Sequence, residues 1–303
     1  VNIVVVGPGA MGCLFAALLK EAGHDVRLLD RDGARAREIT ERGLLVESDG
    51  ATRTVPVRAS ADPAAIPPAP LAIIFVKAFD TAAAARAAAA RLTENGTIVT
   101  LQNGLGNVEQ IARCVPPDRI VCGSTAYGAE TLGRGRVRLN GAGPTIVAPA
   151  VPAGAGRAAA VRELFAAAGI RAAARPDAAS VLWSKLAINA GVNPVSAIFG
   201  VANGAVPRLP GARRLMHAAV WEAARTAAAH GIRLGYDDPI AEAELVCNLT
   251  AGNVSSMLQD VRRGRRTEIE QITGAVVKAA GNKNVAAPAN GFLLRAVPRI
   301  TRA

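Results

Sequence analysis

The first thirty residues constrain the fold most strongly. Residues 1–6, VNIVVV, are a short apolar run rich in β-branched side chains. Gly7-Pro8-Gly9-Ala10-Met11-Gly12 follows, then a helix-like stretch through Lys20 and a second apolar run at Val26–Leu29. Strand, glycine turn, helix and strand in that order open a doubly wound nucleotide-binding sheet. In a GxGxxG turn the first glycine permits the tight bend, the second lets backbone approach a pyrophosphate, and the third lets helix and strand pack closely. The phosphates are then expected on the exposed amides of the helix N-terminus. Pro8 removes one donor at a position the motif leaves free. By itself GxGxxG is a weak signal. Its place directly after a strand, with an acidic residue closing the second strand, strengthens it.

Further strands fit Leu71–Val76, Thr97–Leu101 and Ile120–Thr125. Arg136–Leu139 and Thr145–Ala148 read as a hairpin around Gly141 and Gly143. The alanine-rich segment Thr81–Leu92 suits a helix lying flat on a sheet. Beyond about residue 170 no strand pattern returns. Ala178–Val192, Ala212–His230, Pro239–Leu249 and Thr267–Ala280 read as helices, punctuated by Pro194, Pro207, Pro210, Pro239 and Pro288. The expected architecture is α/β: a Rossmann-like dinucleotide-binding domain over residues 1–170, then an all-helical domain over 171–303 that holds substrate and has faces suited to dimerisation.

Charge and cysteine usage narrow the function class. The 303 residues carry 35 Lys and Arg against 24 Asp and Glu, a formal charge of +11. Only five of the cations are lysines, and the excess concentrates in residues 171–303, with 17 basic and 9 acidic side chains. The cluster Arg262, Arg263, Arg265 and Arg266 is followed at once by Glu268 and Glu270, and no nucleic-acid-binding element accompanies it. Anionic metabolites are the better expectation, with no nucleic-acid partner. The four cysteines lack CxxC spacing, and His24, His217 and His230 are scattered, so no metal site assembles from near neighbours. No run of 18 apolar residues appears, and no basic leader precedes the opening strand. The expectation is a cytoplasmic protein with free thiols and no membrane role.

Several polar residues stand where chemistry is expected. Lys77 and Asn103-Gly104 each follow an apolar strand, and ligands of open α/β sheets bind beyond the carboxyl ends of strands. A surface lysine and a simple turn are the plainer readings. Lys185, Asn189 and Asn193 are spaced by four in an apolar stretch; the first two share a helix face, and the third stands before Pro194, at the expected helix end. Buried, they need partners; otherwise Lys185 snorkels from a surface face. Ser255, Ser256, Asp260 and Glu268 form a late polar group that pattern alone does not decide. One chemistry suits the set: a nicotinamide supplies a hydride, Lys185 donates a proton to the carbonyl oxygen, Glu268 orients it or holds the product hydroxyl, and Asn and Ser groups fix a carboxylate. At the cofactor end, Asp30 suits a ribose 2′-OH and so NADH, whereas Arg31 suits a 2′-phosphate and so NADPH. Arg35 and Arg37 add positive potential, and Arg35 is long enough to approach the phosphates. His217 and His230, in alanine-rich helices, read as structural or surface residues.

In this order the segments GPGAMG (7–12), VKA (76–78), LQNG (101–104), KLAINAGVNP (185–194), SSMLQD (255–260) and TEI (267–269) resemble the ketopantoate reductase family over residues 1 to about 295. The resemblance implies a Rossmann domain plus a helical domain with the active site in the cleft, and NADPH-dependent reduction of 2-dehydropantoate to (R)-pantoate. It implies Lys185 as general acid and Glu268 as its assistant at the substrate hydroxyl. Asn103, Asn189, Asn193 and Ser256 are implied to position substrate. Gly7, Pro8, Gly9, Ala10, Met11, Gly12, Lys77 and Asn103 are implied beside the cofactor, and Arg31 at its 2′-phosphate. The sequence departs from the family pattern at Asp30, which keeps NADH open, and at the polar segment 281–290. A reductase for another small 2-oxo acid and a non-catalytic nucleotide sensor are the competing readings; the sensor is disfavoured because Lys185 and Glu268 are both kept.

Overall fold

Alternation along the first strand organises the nucleotide half. In β1 (Asn2–Val6), Ile3 and Val5 face one layer with Leu14 and Phe15, while Val4 and Val6 face the other with Ala85 and Ala88. A strand buried on both faces reads as an unbroken apolar run, and its natural place is mid-sheet between helices. The structure, a computed structural model describing residues 1–301, puts it there.

Two compact units are present: residues 1–102 with 107–178, and residues 103–106 with 179–303. In the first, β2 (Asp25–Leu29), β3 (Leu44–Ser48), β4 (Ala51–Val55), β5 (Arg58–Ser60), β6 (Ala69–Ile74), β7 (Leu92–Thr100), β8 (Ile120–Thr125), β9 (Gly128–Gly133), β10 (Arg136–Gly141), β11 (Thr145–Pro149) and β12 (Ala172–Ala174) follow β1. They form an eight-stranded sheet ordered β12-β11-β8-β7-β6-β1-β2-β5 and a four-stranded sheet ordered β4-β3-β10-β9. The stretch β5-β2-β1-β6-β7-β8 is parallel and has the doubly wound order, whose switch point falls between β1 and β6. Register brings the strand ends level: Val6 pairs with both Leu29 and Ile74, and Ile74 with Thr100. Gly7, Asp30, Phe75 and Leu101 therefore leave the sheet at one edge.

Five helices serve this unit: α1 (Ala10–Glu21), α2 (Gly33–Arg42), α3 (Thr81–Ala89), α4 (Asn107–Ile111) and α5 (Ala155–Ala167). The alanine expectation for α3 is met, since Ala85 and Ala88 are fully buried against the sheet. Phe15 of α1 anchors the opposite layer, with ring centroids 4.9 Å from Phe75, 5.6 Å from Tyr127 and 5.7 Å from Phe165.

The expected hairpin over 136–148 is overturned. β10 pairs with β3 and β9, whereas β11 pairs with β8 and β12, so the glycines carry the chain from one sheet to the other. Gly143 passes so close to Ala126 that an added Cβ would lie 2.5 Å from its side chain. β12 is a further difference. Three alanines give no alternation to read, yet they pair with Thr145–Val147, so the first unit runs past residue 170 to 178.

The second unit is helical: α6 (Ala178–Phe199), α7 (Pro210–Ala229), α8 (Pro239–Leu249), α9 (Ser256–Arg262), α10 (Ala275–Gly281) and α11 (Pro288–Thr301). Helix α6 does not stop before Pro194 as expected. Proline cannot donate to the carbonyl four residues back, but Pro194, Val195, Ser196 and Ala197 are all buried, and that packing carries the helix to Phe199. The segment read as one helix over 267–280 instead enters α10 through a π-helical turn, Glu270–Gly274. No helix among the described residues is long and apolar enough to cross a membrane.

Helix α6 lies against α7 through Gly191, where a Cβ would stand 2.4 Å from Val220 Cγ2 and 3.0 Å from the Met216 carbonyl oxygen. Alanine gains about 1 kcal/mol of helix propensity over glycine, while overpacking costs about 1–3 kcal/mol. With a backbone oxygen among the obstacles the cost wins. Gly191→Ala is expected to lower stability by about 1–2 kcal/mol, measured by urea denaturation.

Candidate active site

The first unit supplies a nucleotide cradle. Gly7 has φ +95°, a value side-chain-bearing residues rarely adopt, and a Cβ there would lie 2.7 Å from Val76 Cγ1. Its N–H donates to the Leu29 carbonyl at 2.9 Å, tying the turn to β2. At Gly12 a Cβ would be 2.1 Å from the Gly7 carbonyl oxygen. Gly9, by contrast, has nothing within 4 Å of an added Cβ, and no side chain caps α1 above it. The turn is closed where helix meets strand and open where the amides at the helix start face outward. That fits a pyrophosphate on the α1 N-terminus, with Ala10, Met11 and Gly12 supplying N–H groups that lack helical acceptors.

At the end of β2, Asp30 and Arg31 diverge. The Asp30 side chain is only 1% exposed and is gripped by Arg35, Nε to Oδ2 and Nη2 to Oδ1, both at 2.5 Å. Its Oδ1 also accepts from the Asp32 N–H at 3.1 Å. The Arg31 side chain is 81% exposed and reaches Asp80 Oδ2 at 3.0 Å. Arg35, considered in the sequence for the phosphates, is thus committed to Asp30. Nearby Cys13 is buried, and burial pushes its thiol up to about 12, so it serves as an apolar filler.

Gln102 braces the next strand ends. Its Nε2 donates to the Val76 carbonyl and to Thr81 Oγ1, each at 2.8 Å, and its Oε1 accepts from Thr100 Oγ1 at 2.9 Å. It holds the backbone beside Lys77, which itself is partly buried just before the short turn Ala78–Asp80. Sequence reading gave Gln102 no role, although it stood inside the LQNG segment.

The second unit gathers the remaining candidates. Because α6 continues past Pro194, Lys185, Asn189 and Asn193 lie along one face on successive turns. Asn189 is buried and its Nδ2 donates to Asn103 Oδ1 at 3.2 Å. Asn103 belongs to this unit through segment 103–106: the Leu105 N–H donates to the Gln271 carbonyl at 3.0 Å. Gly104, at φ +82°, lets that approach occur, since a Cβ would be 2.4 Å from the same carbonyl oxygen. Lys185 is partly buried, and burial pushes its ammonium below the ordinary lysine value of 10.5. Among the described residues it has no hydrogen bond or ion pair, Glu268 included.

Glu268 is buried, and its carbonyl accepts from the N–H groups of Gln271 and Ile272 at the start of the π-helical turn. Ser255 is the structural member of its pair: its Oγ caps α9 through the Leu258 N–H and lies 2.6 Å from Ser196 Oγ. Ser256, the first residue of α9, is exposed. His217 pairs with Glu244 at 2.7 Å, and His230 stacks on Trp183 and bonds to the Ala279 carbonyl, so both act structurally. No group of three or more His, Cys, Asp or Glu able to hold a metal ion occurs among the described residues.

The chain as a whole matches known proteins. The family model "Ketopantoate reductase PanE/ApbA" matches residues 3–152, and its C-terminal counterpart matches residues 177–300. A 2-dehydropantoate 2-reductase of Halobacterium salinarum is 35% identical over 95% of this chain and 94% of its own length. A PanE/ApbA family ketopantoate reductase from Ralstonia eutropha superposes with a TM-score of 0.89 at 29% identity, covering 99% of this chain and 98% of that one. A D-mandelate dehydrogenase solved with NADH and anilino(oxo)acetate gives a TM-score of 0.92 at 25% identity, with the same coverage.

The two glycines predict different phenotypes. Gly12→Ala forces a Cβ onto backbone and is expected to cost about 1–3 kcal/mol of stability together with nucleotide binding. Gly9→Ala meets open space and should hold stability within about 1 kcal/mol while still weakening nucleotide binding. Thermal denaturation and calorimetric titration of both variants check the contrast.

Proposed function

Because the chain belongs to the ketopantoate reductase family, a family of Rossmann-fold NAD(P)-dependent oxidoreductases, we propose that it reduces 2-dehydropantoate to (R)-pantoate with NADPH, a step toward pantothenate and coenzyme A. The observation that carries this reading is the row Lys185, Asn189 and Asn193 on one face of α6, with Asn189 joined to Asn103.

Lys185 is the general acid. Its ammonium donates a proton to the C2 carbonyl oxygen as that oxygen becomes a hydroxyl, and burial strengthens the acid by disfavouring its charged form. The nicotinamide, when bound, supplies the hydride to the carbonyl carbon. Asn103, Asn189 and Asn193 orient the substrate by hydrogen bonds, and the exposed hydroxyl of Ser256 serves its carboxylate. Glu268 accepts from the substrate hydroxyl. Gly7, Pro8, Gly9, Ala10, Met11 and Gly12 hold the pyrophosphate, Lys77 and Asn103 stand by the nicotinamide end, and Arg31 takes the 2′-phosphate. A cytoplasmic location and a homodimer accord with this role.

The likeness to D-mandelate dehydrogenase favours a second reading, reduction of a different small 2-oxo acid with NADH. Steady-state oxidation of NADPH and NADH against a panel of 2-oxo acids, including ketopantoate and the 2-oxo acid of mandelate, separates the two. Highest kcat/KM for ketopantoate with NADPH supports the first reading; preference for another acid replaces it.

Lys185→Ala is expected to lower kcat by about 10²–10⁴-fold, the usual worth of a general acid, with little change in cofactor affinity. Retained turnover would remove Lys185 from that role. Since the charged form is the reactive one, reduction should fail as pH rises through a pKa below 10.5. Lys185→Arg, whose guanidinium stays charged, should flatten that alkaline limb in its residual turnover.

Arg31→Ala is expected to raise the KM for NADPH by about 10–100-fold, the equivalent of one charge-assisted contact. The KM for NADH should change little. Equal effects on both cofactors would count against 2′-phosphate recognition.

A further inference from the structure

An acidic residue at the end of the second strand of a dinucleotide-binding sheet is the usual acceptor for a ribose 2′-OH, and it opposes a 2′-phosphate. Asp30 occupies that place, one residue past Leu29, which pairs with Val6 beside the glycine turn. Its carboxylate is nevertheless hidden. Both oxygens are held by the Arg35 fork, and Oδ1 also accepts from the Asp32 N–H. Arg35 is itself pinned at the start of α2, where Asp32 Oδ1 accepts from the N–H groups of Ala34 at 3.0 Å and Arg35 at 3.1 Å. Arg134 stands 3.9 Å from the other oxygen of Asp32. The latch is therefore built from a strand end, a helix cap and a bidentate pair, all within one unit.

We propose that Arg35 sets the cofactor preference by withholding Asp30: it keeps the carboxylate buried and neutralised, so that no acceptor is offered to a ribose 2′-OH and Arg31 is left to meet a 2′-phosphate. The inference rests on the NADPH reading above and deepens it. Arg35 is a positioning residue, acting through Asp30. A planar, fixed fork is what this task needs, because it satisfies both carboxylate oxygens at once and cannot lose its charge. The pair is neutral as a unit, so it does not cancel the field of Arg31, whose exposed guanidinium meets only the partly exposed Asp80, a contact that a more highly charged phosphate can displace. Without Arg35 a buried, unpaired Asp30 is costly. The carboxylate then turns outward, where it repels a 2′-phosphate and accepts from a 2′-OH.

The test is calorimetric titration of the whole protein with adenosine 2′,5′-bisphosphate and with ADP, alongside NADPH and NADH, so that the readout does not depend on turnover. Arg35→Ala is expected to weaken 2′,5′-bisphosphate and NADPH by about tenfold or more relative to ADP and NADH. Adding Asp30→Asn to that variant should restore them to within about threefold, because the offending charge is gone. Equal weakening of all four nucleotides in Arg35→Ala would overturn the proposal, as a merely structural role predicts. So would an Asp30→Asn single variant that loses NADH affinity about tenfold while sparing NADPH, since Asp30 would then be the ribose acceptor. That single variant decides alone if Arg35→Ala does not fold. A wild-type protein with no preference for the 2′-phosphate overturns the NADPH reading itself; a preference that survives Arg35→Ala overturns the latch only.

Discussion

The contact between Gly12 and the Gly7 carbonyl is the constraint on which the nucleotide half depends. An added Cβ at Gly12 would stand 2.1 Å from that oxygen, so only glycine lets α1 start directly against the end of β1. This fixes the direction in which the first amides of α1 point. It also seats Phe15, one turn further along, among Phe75, Tyr127 and Phe165. A single close approach thus orients the anion-binding end of the helix and centres the core layer beneath it. The four-stranded sheet follows from the same seat, because Leu44, Val46, Val55 and Val137 join the Phe15 layer.

The second unit uses the same device with different partners. Gly104 lets segment 103–106 meet the Gln271 carbonyl, and Gly191 lets α6 meet α7. Between these approaches lies Asn189, bonded to Asn103. The carbonyl that receives Leu105 belongs to the π-helical turn Glu270–Gly274. A π-helical turn changes the direction in which backbone and side chains leave a helix, and such turns recur at functional sites. Here it begins two residues after Glu268, so the departure from regular helix lies where the proposed chemistry needs a carboxylate and a docking carbonyl together.

Much of this was legible because short-range rules apply where glycine and apolar periodicity speak plainly. GPGAMG located the cradle, and the alanines of α3 announced a helix flat on a sheet. The spacing of Lys185, Asn189 and Asn193 located a polar row on an apolar helix. What was not legible depended on partners far away in sequence. Ala172–Ala174 became a strand only because Thr145–Val147 offered an edge. Pro194 stayed inside α6 because burial of its neighbours outweighed one missing donor. The strands at 136 and 145 looked like partners because they are close in sequence, yet each found a better edge elsewhere. Gln102 stood within a motif, but its three side-chain hydrogen bonds to Val76, Thr81 and Thr100 required the sheet to exist first.

Charge shows the same dependence on context. The net +11 suggested attraction for anions, but several arginines already face carboxylates of this chain. Arg35 holds Asp30, Arg136 and Arg138 share Glu47, Arg53 meets Glu21, and Arg213 meets Glu244. Apart from the buried Arg35–Asp30 pair, these are surface pairs, which contribute little to stability. Lys185 differs from these: it is partly buried, burial pushes it toward its neutral form, and no described carboxylate pairs with it. A partly buried ammonium with no carboxylate beside it gives up its proton more readily than an exposed, paired one, which is the property the proposed general acid needs.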